Sequence, residues 1–289
     1  MKKLKHIVEY IFLLILIYSL RMMSVDNSAN FCAFFARMLG PYLRVTKIAK
    51  QNIERVYGSK IDYKKTIDDL WDNYGRYIGE FPFINTLNSD DLNKRVKIVG
   101  LEKIEHLRKA NQPFMLFLAH QANWDFVIRR INDIYPKFAI IYRKANNPYI
   151  DAAILKDRTN EDSVMMIAKG VGGAKSIVRA IKDRSSIAML VDQKMNDGIE
   201  VPFFGLKAMT APAIAKLSLQ YNYPIVPLQI VRIGRTSNFE LIIHDPLPAR
   251  IGNNAQNCYD TMVEINKIVE GWIRQNPSQW LWFHNRWKN

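Results

Sequence analysis

The chain has 289 residues, of which 48% are hydrophobic and 24% charged. That profile excludes a disordered or polytopic membrane protein. With 41 basic against 27 acidic residues the net charge is +14, an excess that suits nucleic acid, an anionic membrane or an acidic carrier protein. No zinc-finger spacing, RNP-like strand or dense basic run is present, so nucleic acid is the weakest of these. The two distant cysteines, Cys32 and Cys258, exclude a disulfide or cysteine-based metal framework.

Lys2, Lys3 and Lys5 precede an apolar run from Ile7 to Leu20 that Glu9 and Arg21 interrupt at its two ends. No small-residue cleavage site follows it, and it is short for a full span of about 20 apolar residues. Residues 1–24 are therefore expected to be an uncleaved membrane anchor, entering the bilayer obliquely or barely crossing it. Residues 25–94 read as a helical, membrane-proximal region, including a helix over Ile61–Ile78 closed by Phe81-Pro-Phe.

From Arg95 the periodicity changes. Strands are expected at Val96–Val99, Phe114–Ala119, Phe138–Tyr142, Val164–Ala168, Ile187–Val191, Ile225–Ile233 and Phe239–His244. Helices are expected at Leu101–Ala110, Trp124–Tyr135, Pro148–Arg158, Ala174–Arg184, Pro212–Tyr221 and Cys258–Gln275. Such alternation predicts an α/β core over residues 95–289, a mixed but largely parallel sheet flanked by helices. The last two strands should form an antiparallel hairpin.

The segment Phe114-Met-Leu-Phe-Leu-Ala-His120-Gln-Ala-Asn-Trp-Asp125 delivers His120 to a strand's carboxyl end, where ligands bind in open α/β sheets. A carboxylate on one imidazole nitrogen fixes the tautomer and leaves the other nitrogen as a base; Asp125 is the expected carboxylate. The same spacing also fits a buried histidine beside a helix-capping aspartate. The cluster Gly170-Val-Gly-Gly-Ala-Lys-Ser176 departs from both the Walker A and dinucleotide patterns and reads as a strand-to-helix turn. There is no G-x-S-x-G elbow and no paired histidine spacing for zinc. A histidine base without a protein nucleophile suits direct transfer to an incoming hydroxyl.

Four blocks in order, from about Val99 to Lys288, resemble the bacterial lipid A late acyltransferase family, within the lysophospholipid acyltransferase group. His120 and Asp125 match its H-x-x-x-x-E/D dyad, and Asn147, Pro148, Asp151 and Arg158 its N-P-x-x-D-x(6)-R block. Asp192, Gln193 and Pro202–Gly205 match its D-Q and P-F-F-G blocks, and Trp280–Trp287 its W-L-W-x-H-x-R-W block. The resemblance implies a glycerolipid acyltransferase-like fold at the cytoplasmic face of a bacterial inner membrane. It implies fatty acyl transfer from acyl-acyl carrier protein to a hydroxyl of a lipid A precursor, without metal or organic cofactor. His120, Asp125 and Arg158 would be catalytic. Asn123, Arg143, Asn147, Asp151, Asp192, Gln193, Phe203, Phe204, Gly205, Thr210 and Arg286 would bind substrate. The lipid A branch usually carries Glu where this chain has Asp125, which leaves glycerophospholipid or phosphatidylinositol mannoside acceptors as alternatives. A non-catalytic lipid-binding protein or an anchored hydrolase are readings from other classes.

Overall fold

The computed structural model describes residues 2–158, 164–250 and 252–287, with the side chains of Asp157, Arg158 and Val171 outside that description. The first part is helical: α1 (Lys2–Arg21), α2 (Val25–Leu39), α3 (Arg44–Tyr57), α4 (Tyr63–Glu80) and the short α5 (Ser89–Arg95). Side-chain oxygens of Ser24, Asp62 and Asn88 accept from backbone N–H groups at the starts of α2, α4 and α5. Each thereby satisfies a donor that has no partner inside the helix.

A seam of small residues sets how α4 lies on α2. A Cβ on Gly79 would fall 2.4 Å from the Ser28 carbonyl oxygen, and one on Gly75 would fall 2.6 Å from the Ala33 Cα. The two glycines, one helical turn apart, let the backbones approach until Ser28 Oγ donates to the Gly79 carbonyl at 2.7 Å. Close contact of α2 on one side of α4 leaves Tyr77 and Glu80 to face the α/β core.

That core follows as β1 (Val96–Val99), α6 (Glu105–Lys109), β2 (Met115–Leu118), α7 (Phe126–Ile134), β3 (Phe138–Tyr142), α8 (Pro148–Arg158), β4 (Val164–Ala168), α9 (Val171–Lys182) and β5 (Ser186–Leu190). A hairpin of β6 (Lys194–Phe203) and β7 (Leu206–Thr210) precedes α10 (Ala213–Tyr221), β8 (Ile225–Arg232), β9 (Phe239–Ile243) and α11 (Ala255–Gln275). The main sheet has seven strands in the order β1-β9-β8-β2-β5-β3-β4. From β8 to β4 every pairing is parallel, whereas β9 runs antiparallel to β8 and carries β1 parallel to itself. The mixed, largely parallel sheet and the closing hairpin are as expected. The β6–β7 pair was not foreseen, because Asn196-Asp-Gly198 inside β6 reads as a turn; there the register shifts between Lys194 and Ile199.

All four residues of β2 are buried, as a central parallel strand covered on both faces requires. Phe117 stacks on Trp272 of α11 at 5.5 Å between ring centroids, and burying such a side chain stabilises the fold by about 1.5–3 kcal/mol. Gly173 lies in the first turn of α9, where a Cβ would fall 2.0 Å from the Ala168 carbonyl oxygen. The glycine cluster is thus a strand-to-helix junction whose close packing excludes a side chain.

Among the described residues no helix is long and apolar enough to cross a membrane, so the expected anchor over residues 1–24 finds no support as a spanning helix. The polar interruptions of α1 face the protein. Asn147 Nδ2 donates to Glu9 Oε2 at 2.9 Å and to the His6 carbonyl at 2.8 Å, and Arg21 Nε donates to the Pro82 carbonyl at 2.9 Å.

Candidate active site

In the β2–β5 pairing Leu118 lies opposite Leu190, so the residues two positions beyond each, His120 and Asp192, emerge side by side. His120 Nδ1 lies 2.8 Å from Asp192 Oδ1, and His120 N donates to Asp192 Oδ2 at 2.9 Å. Trp280 Nε1 donates to the same Oδ2 at 2.7 Å. Burial alone would raise the Asp192 pKa. The charge and hydrogen bonds of His120, with a contribution from His284, instead hold it well below the ordinary carboxylate range. An ionised Asp192 makes Nδ1 the protonated nitrogen and leaves the Nε2 lone pair available. Gln193 Nε2 stands 3.3 Å from it.

The partner of Nδ1 is therefore Asp192, which corrects the expectation that Asp125 would orient the histidine. Buried Asp125 accepts from Tyr77 Oη at 2.9 Å, and the Tyr77 ring stacks on Trp124 at 4.3 Å. Sequence proximity brings Asp125 to the same cavity, but adjacency of β2 and β5 brings Asp192 to the imidazole.

Two other elements hold the loop that carries His120. Gln279 O accepts from Ala122 N at 2.9 Å, and His120 O accepts from Leu281 N at 2.9 Å. Ala122 has φ +49°, a left-handed conformation that the surrounding contacts must maintain. From α4, fully buried Glu80 accepts from Asn123 Nδ2 at 2.8 Å, and Asn123 Oδ1 accepts from Asp125 N at 3.2 Å. Glu80 is paired in turn with buried Arg232, whose Nη2 donates to Oε2 at 3.0 Å and whose Nε donates to Asn73 Oδ1 at 2.9 Å.

A cavity of about 250 Å³ opens at His120 and runs between α7 and the sheet. Its deep wall is hydrocarbon, from Ile128, Ile131, Ile140, Met166, Ala188 and Leu190. Its mouth carries Tyr77, His120, Asp125, Arg143, Lys169 and Gln193.

Of the residues expected to bind substrate, Arg143 and Gln193 line this cavity, and Asn123 and Asp192 position its walls. The others do not line it. Asn147 joins α8 to α1, and Asp151 Oδ1 accepts from Ala145 N at 2.8 Å to shape the turn before α8. Phe203, Phe204 and Gly205 form the β6–β7 turn, with Phe203 stacked on Trp287 at 5.6 Å. Arg286 is wholly buried, donating to the Met209 carbonyl at 2.9 Å and to Thr210 Oγ1 at 2.7 Å. Desolvation lowers its pKa to about 10, and its two hydrogen bonds clamp β7 of the hairpin to the C-terminal segment. The Arg158 side chain and all of Lys288 lie outside the described residues. Tyr77, Glu80, Arg232 and Lys169 carried no sequence motif and were not foreseen.

A histidine held by a carboxylate at the carboxyl edge of a largely parallel sheet, beside a mainly apolar cavity, makes this an α/β protein with a candidate cleft at its strand ends. The chain belongs to the bacterial lipid A biosynthesis acyltransferase family, whose model matches residues 1–289, and the resemblance read from the sequence is borne out at that level. It is thus a lipid acyltransferase by family. It is similar to the lipid A biosynthesis lauroyltransferase of Escherichia coli K12, with 22% identity over 85% of this chain and 79% of that one. The palmitoleoyltransferase of the same organism is 23% identical over 87% of this chain and 81% of its own. A crystal structure of the 1-acyl-sn-glycerophosphate acyltransferase from Thermotoga maritima aligns with TM-score 0.39 and 14% identity, covering 95% and 99% of the two chains.

Proposed function

We propose that this protein transfers a fatty acyl group from acyl-acyl carrier protein to a hydroxyl of a lipid A precursor at the inner membrane, with His120 as general base. The observation that carries the mechanism is the His120–Asp192 pair: with Nδ1 occupied by an ionised carboxylate, Nε2 faces the cavity as a proton acceptor. The acceptor hydroxyl would replace Gln193 at Nε2, lose its proton there and attack the thioester carbonyl carbon. The tetrahedral intermediate collapses with cleavage of the C–S bond, and the imidazolium returns the proton to the departing thiolate. The thioester already activates the acyl group, so no cofactor is needed. Gln193 would donate to the transient oxyanion, and by resemblance Arg158 would do the same or hold substrate phosphate. The apolar cavity suits the acyl chain, each buried CH₂ contributing about 0.8 kcal/mol.

An acceptor with several acyl chains cannot readily leave the bilayer, so the enzyme must meet it there. On α1 the side chains of Leu4, Val8, Ile11, Phe12, Ile15 and Leu16 are exposed, and α2 adds Phe31, Phe34, Phe35, Met38 and Leu39. Exposed apolar helix faces of this extent suit a helix pair lying in the interface. Purified protein given acyl-carrier thioester should acylate a lipid A precursor in preference to lysophospholipid. Preference for lysophospholipid would move the acceptor to the glycerophospholipid alternative, which Asp125 in place of Glu leaves open. Thioester loss without lipid acceptor would indicate a hydrolase, and no turnover with either acceptor would sink the transfer reaction.

A further inference from the structure

A second pair of strand ends opens on the same cavity. Tyr142 and Ala168 are register partners on parallel β3 and β4, and Lys169 N donates to Tyr142 O at 2.8 Å. The next residue on each strand, Arg143 and Lys169, therefore leaves the sheet beside the other, and both line the cavity mouth with His120 and Gln193. Neither has an ion-pair partner among the described residues. Of the carboxylates at this end of the sheet, Asp192 is bonded to His120 and Trp280, and Asp125, which lines the same cavity, to Tyr77. Protein surrounding the cleft mouth lowers the Lys169 pKa and so does the Arg143 charge, while Asp192 opposes them. A group at a cleft mouth is both open to solvent and surrounded by protein atoms, so its exposure and its desolvation do not conflict.

Two cations held side by side, with no direct ion-pair partner among the described residues and only the charge of Asp192 to offset them, repel each other, and an anion entering between them relieves that repulsion. The planar guanidinium can grip two oxygens at once while the ammonium adds a point charge. We propose that Arg143 and Lys169 form a clamp for a phosphate group carried by one of the two substrates, set at the cavity mouth so that the reacting atoms fall at His120. Which substrate carries the phosphate rests on the acyl-transfer reading: the donor's phosphopantetheine arm and a phosphorylated lipid acceptor offer the same chemistry.

Binding can be measured apart from turnover, with octyl phosphate and octanol as probes and the fluorescence of Trp124, whose ring lies 5.0 Å from that of His120, as the signal. Arg143→Met and Lys169→Met should each weaken octyl phosphate binding at least tenfold and leave octanol binding unchanged. Lys169→Arg should restore most of the affinity, and wild-type binding of octyl phosphate should weaken with salt. Unchanged octyl phosphate affinity in both methionine variants, or equal losses for both probes, would overturn the clamp. The source is separated by KM, comparing phosphopantetheine with phosphate-free pantetheine thioesters, and phosphorylated with dephosphorylated lipid acceptors. A KM rise of about tenfold confined to the phosphate-bearing member of one pair assigns the clamp to that substrate. Intact octyl phosphate binding in a wild-type protein that turns over neither donor would sink the acyl-transfer reading and leave the clamp standing.

Discussion

Asp192 grips His120 at two points, Oδ1 on the ring nitrogen Nδ1 at 2.8 Å and Oδ2 on the backbone N–H at 2.9 Å. A carboxylate bound to both the ring and the main chain of one residue fixes the direction and tautomer of the imidazole together. Trp280 closes the arrangement by donating to Oδ2, which binds a tryptophan from the C-terminal segment to the chemistry of β2 and β5.

Asp192→Asn should therefore be the most damaging conservative change at the site. An amide can present its NH₂ to Nδ1 and stabilise the wrong tautomer, a change that costs about 10⁴ in kcat in the serine protease triad. Asp125→Asn should cost less, because Asp125 is held by Tyr77 and acts on the cavity wall. Steady-state rates of the two variants decide the order. A loss in Asp125→Asn equal to or larger than that in Asp192→Asn would return the orienting role to Asp125.

Glu80 and Arg232 make a buried ion pair whose side chains are 0% and 2% exposed. Removing one partner leaves an uncompensated charge, at a cost of about 3–5 kcal/mol. Arg232→Met should lower stability by that amount in urea titrations. Replacing Glu80 by Met as well should recover part of it, since neither charge of the pair is then left buried without its partner. Activity should stay low in the double variant, because Asn123 Nδ2 loses its acceptor and the loop bearing His120 loses its tie to α4. Full activity in a refolded double variant would show that the tie does nothing for the loop.

Much of this was legible in the sequence. The seven strands of the main sheet were placed to within a residue or two, because buried parallel strands are short apolar runs bounded by polar turns. His120, Asp192 and Gln193 were recognised as strand-end residues. The pairing of His120 with Asp192 was not legible, because it depends on β5 lying next to β2, separated in the chain by α7, β3, α8, β4 and α9. Within the sequence the H-x-x-x-x-D spacing offers only the nearer carboxylate, Asp125. Tyr77 and Glu80 were hidden for a different reason: on an amphipathic helix they look like ordinary surface residues until the glycine seam with α2 shows which face is covered. Asn196-Asp-Gly198 breaks the apolar alternation of β6 and concealed a strand, since a register shift between Lys194 and Ile199 absorbs the break.

Acid should destabilise the protein through its histidines before its carboxylates. Burial pushes His284 below the ordinary imidazole value of 6.5, and burial with the Lys103 charge does the same to His244. The unfolded chain then binds protons that the folded one refuses, so stability is lost as pH falls below about 6.5, by up to about 1.4 kcal/mol per pH unit for His284 and by less for the half-buried His244, which solvent screens. Asp192 has the same sign in a lower window. Its folded pKa is depressed, so its contribution is present above the unfolded value of 3.8 and lost only as pH falls through the folded one. Urea midpoints between pH 8 and pH 5 should show the histidine slope, and His284→Gln should flatten it. A flat wild-type profile over that range would contradict the assignment.

Acyl selectivity should respond to the depth of the cavity. Ala188 is 1% exposed on β5 and lines the apolar wall, so Ala188→Leu or Ala188→Met projects new volume into the space assigned to the acyl chain. The preferred donor should become shorter, with each CH₂ denied burial costing about 0.8 kcal/mol, or about fourfold in kcat/KM. Competition among acyl thioesters of graded length reads this directly. An unshifted preference together with an unchanged rate would place the acyl chain elsewhere.

The last prediction concerns the face that α1 and α2 turn outward. Deleting α1 would also remove the acceptors of Asn147 and the partner of the Pro82 carbonyl, so truncation would confound attachment with folding. Substitutions on the exposed side avoid this. Phe12 and Ile15 are 69% and 58% exposed, and Phe34 on α2 is 54% exposed. Phe12→Glu, Ile15→Glu and Phe34→Glu, together, should leave the urea midpoint nearly unchanged. They should also release the protein from vesicles containing anionic lipid, because each change removes apolar burial and adds a charge repelled by the surface. Activity on acceptor in vesicles should fall by at least tenfold, whereas activity on detergent-dispersed acceptor should be largely kept. Vesicle binding as tight as in the wild type would show that these helices serve another contact, and that the basic surface alone holds the enzyme to its substrate.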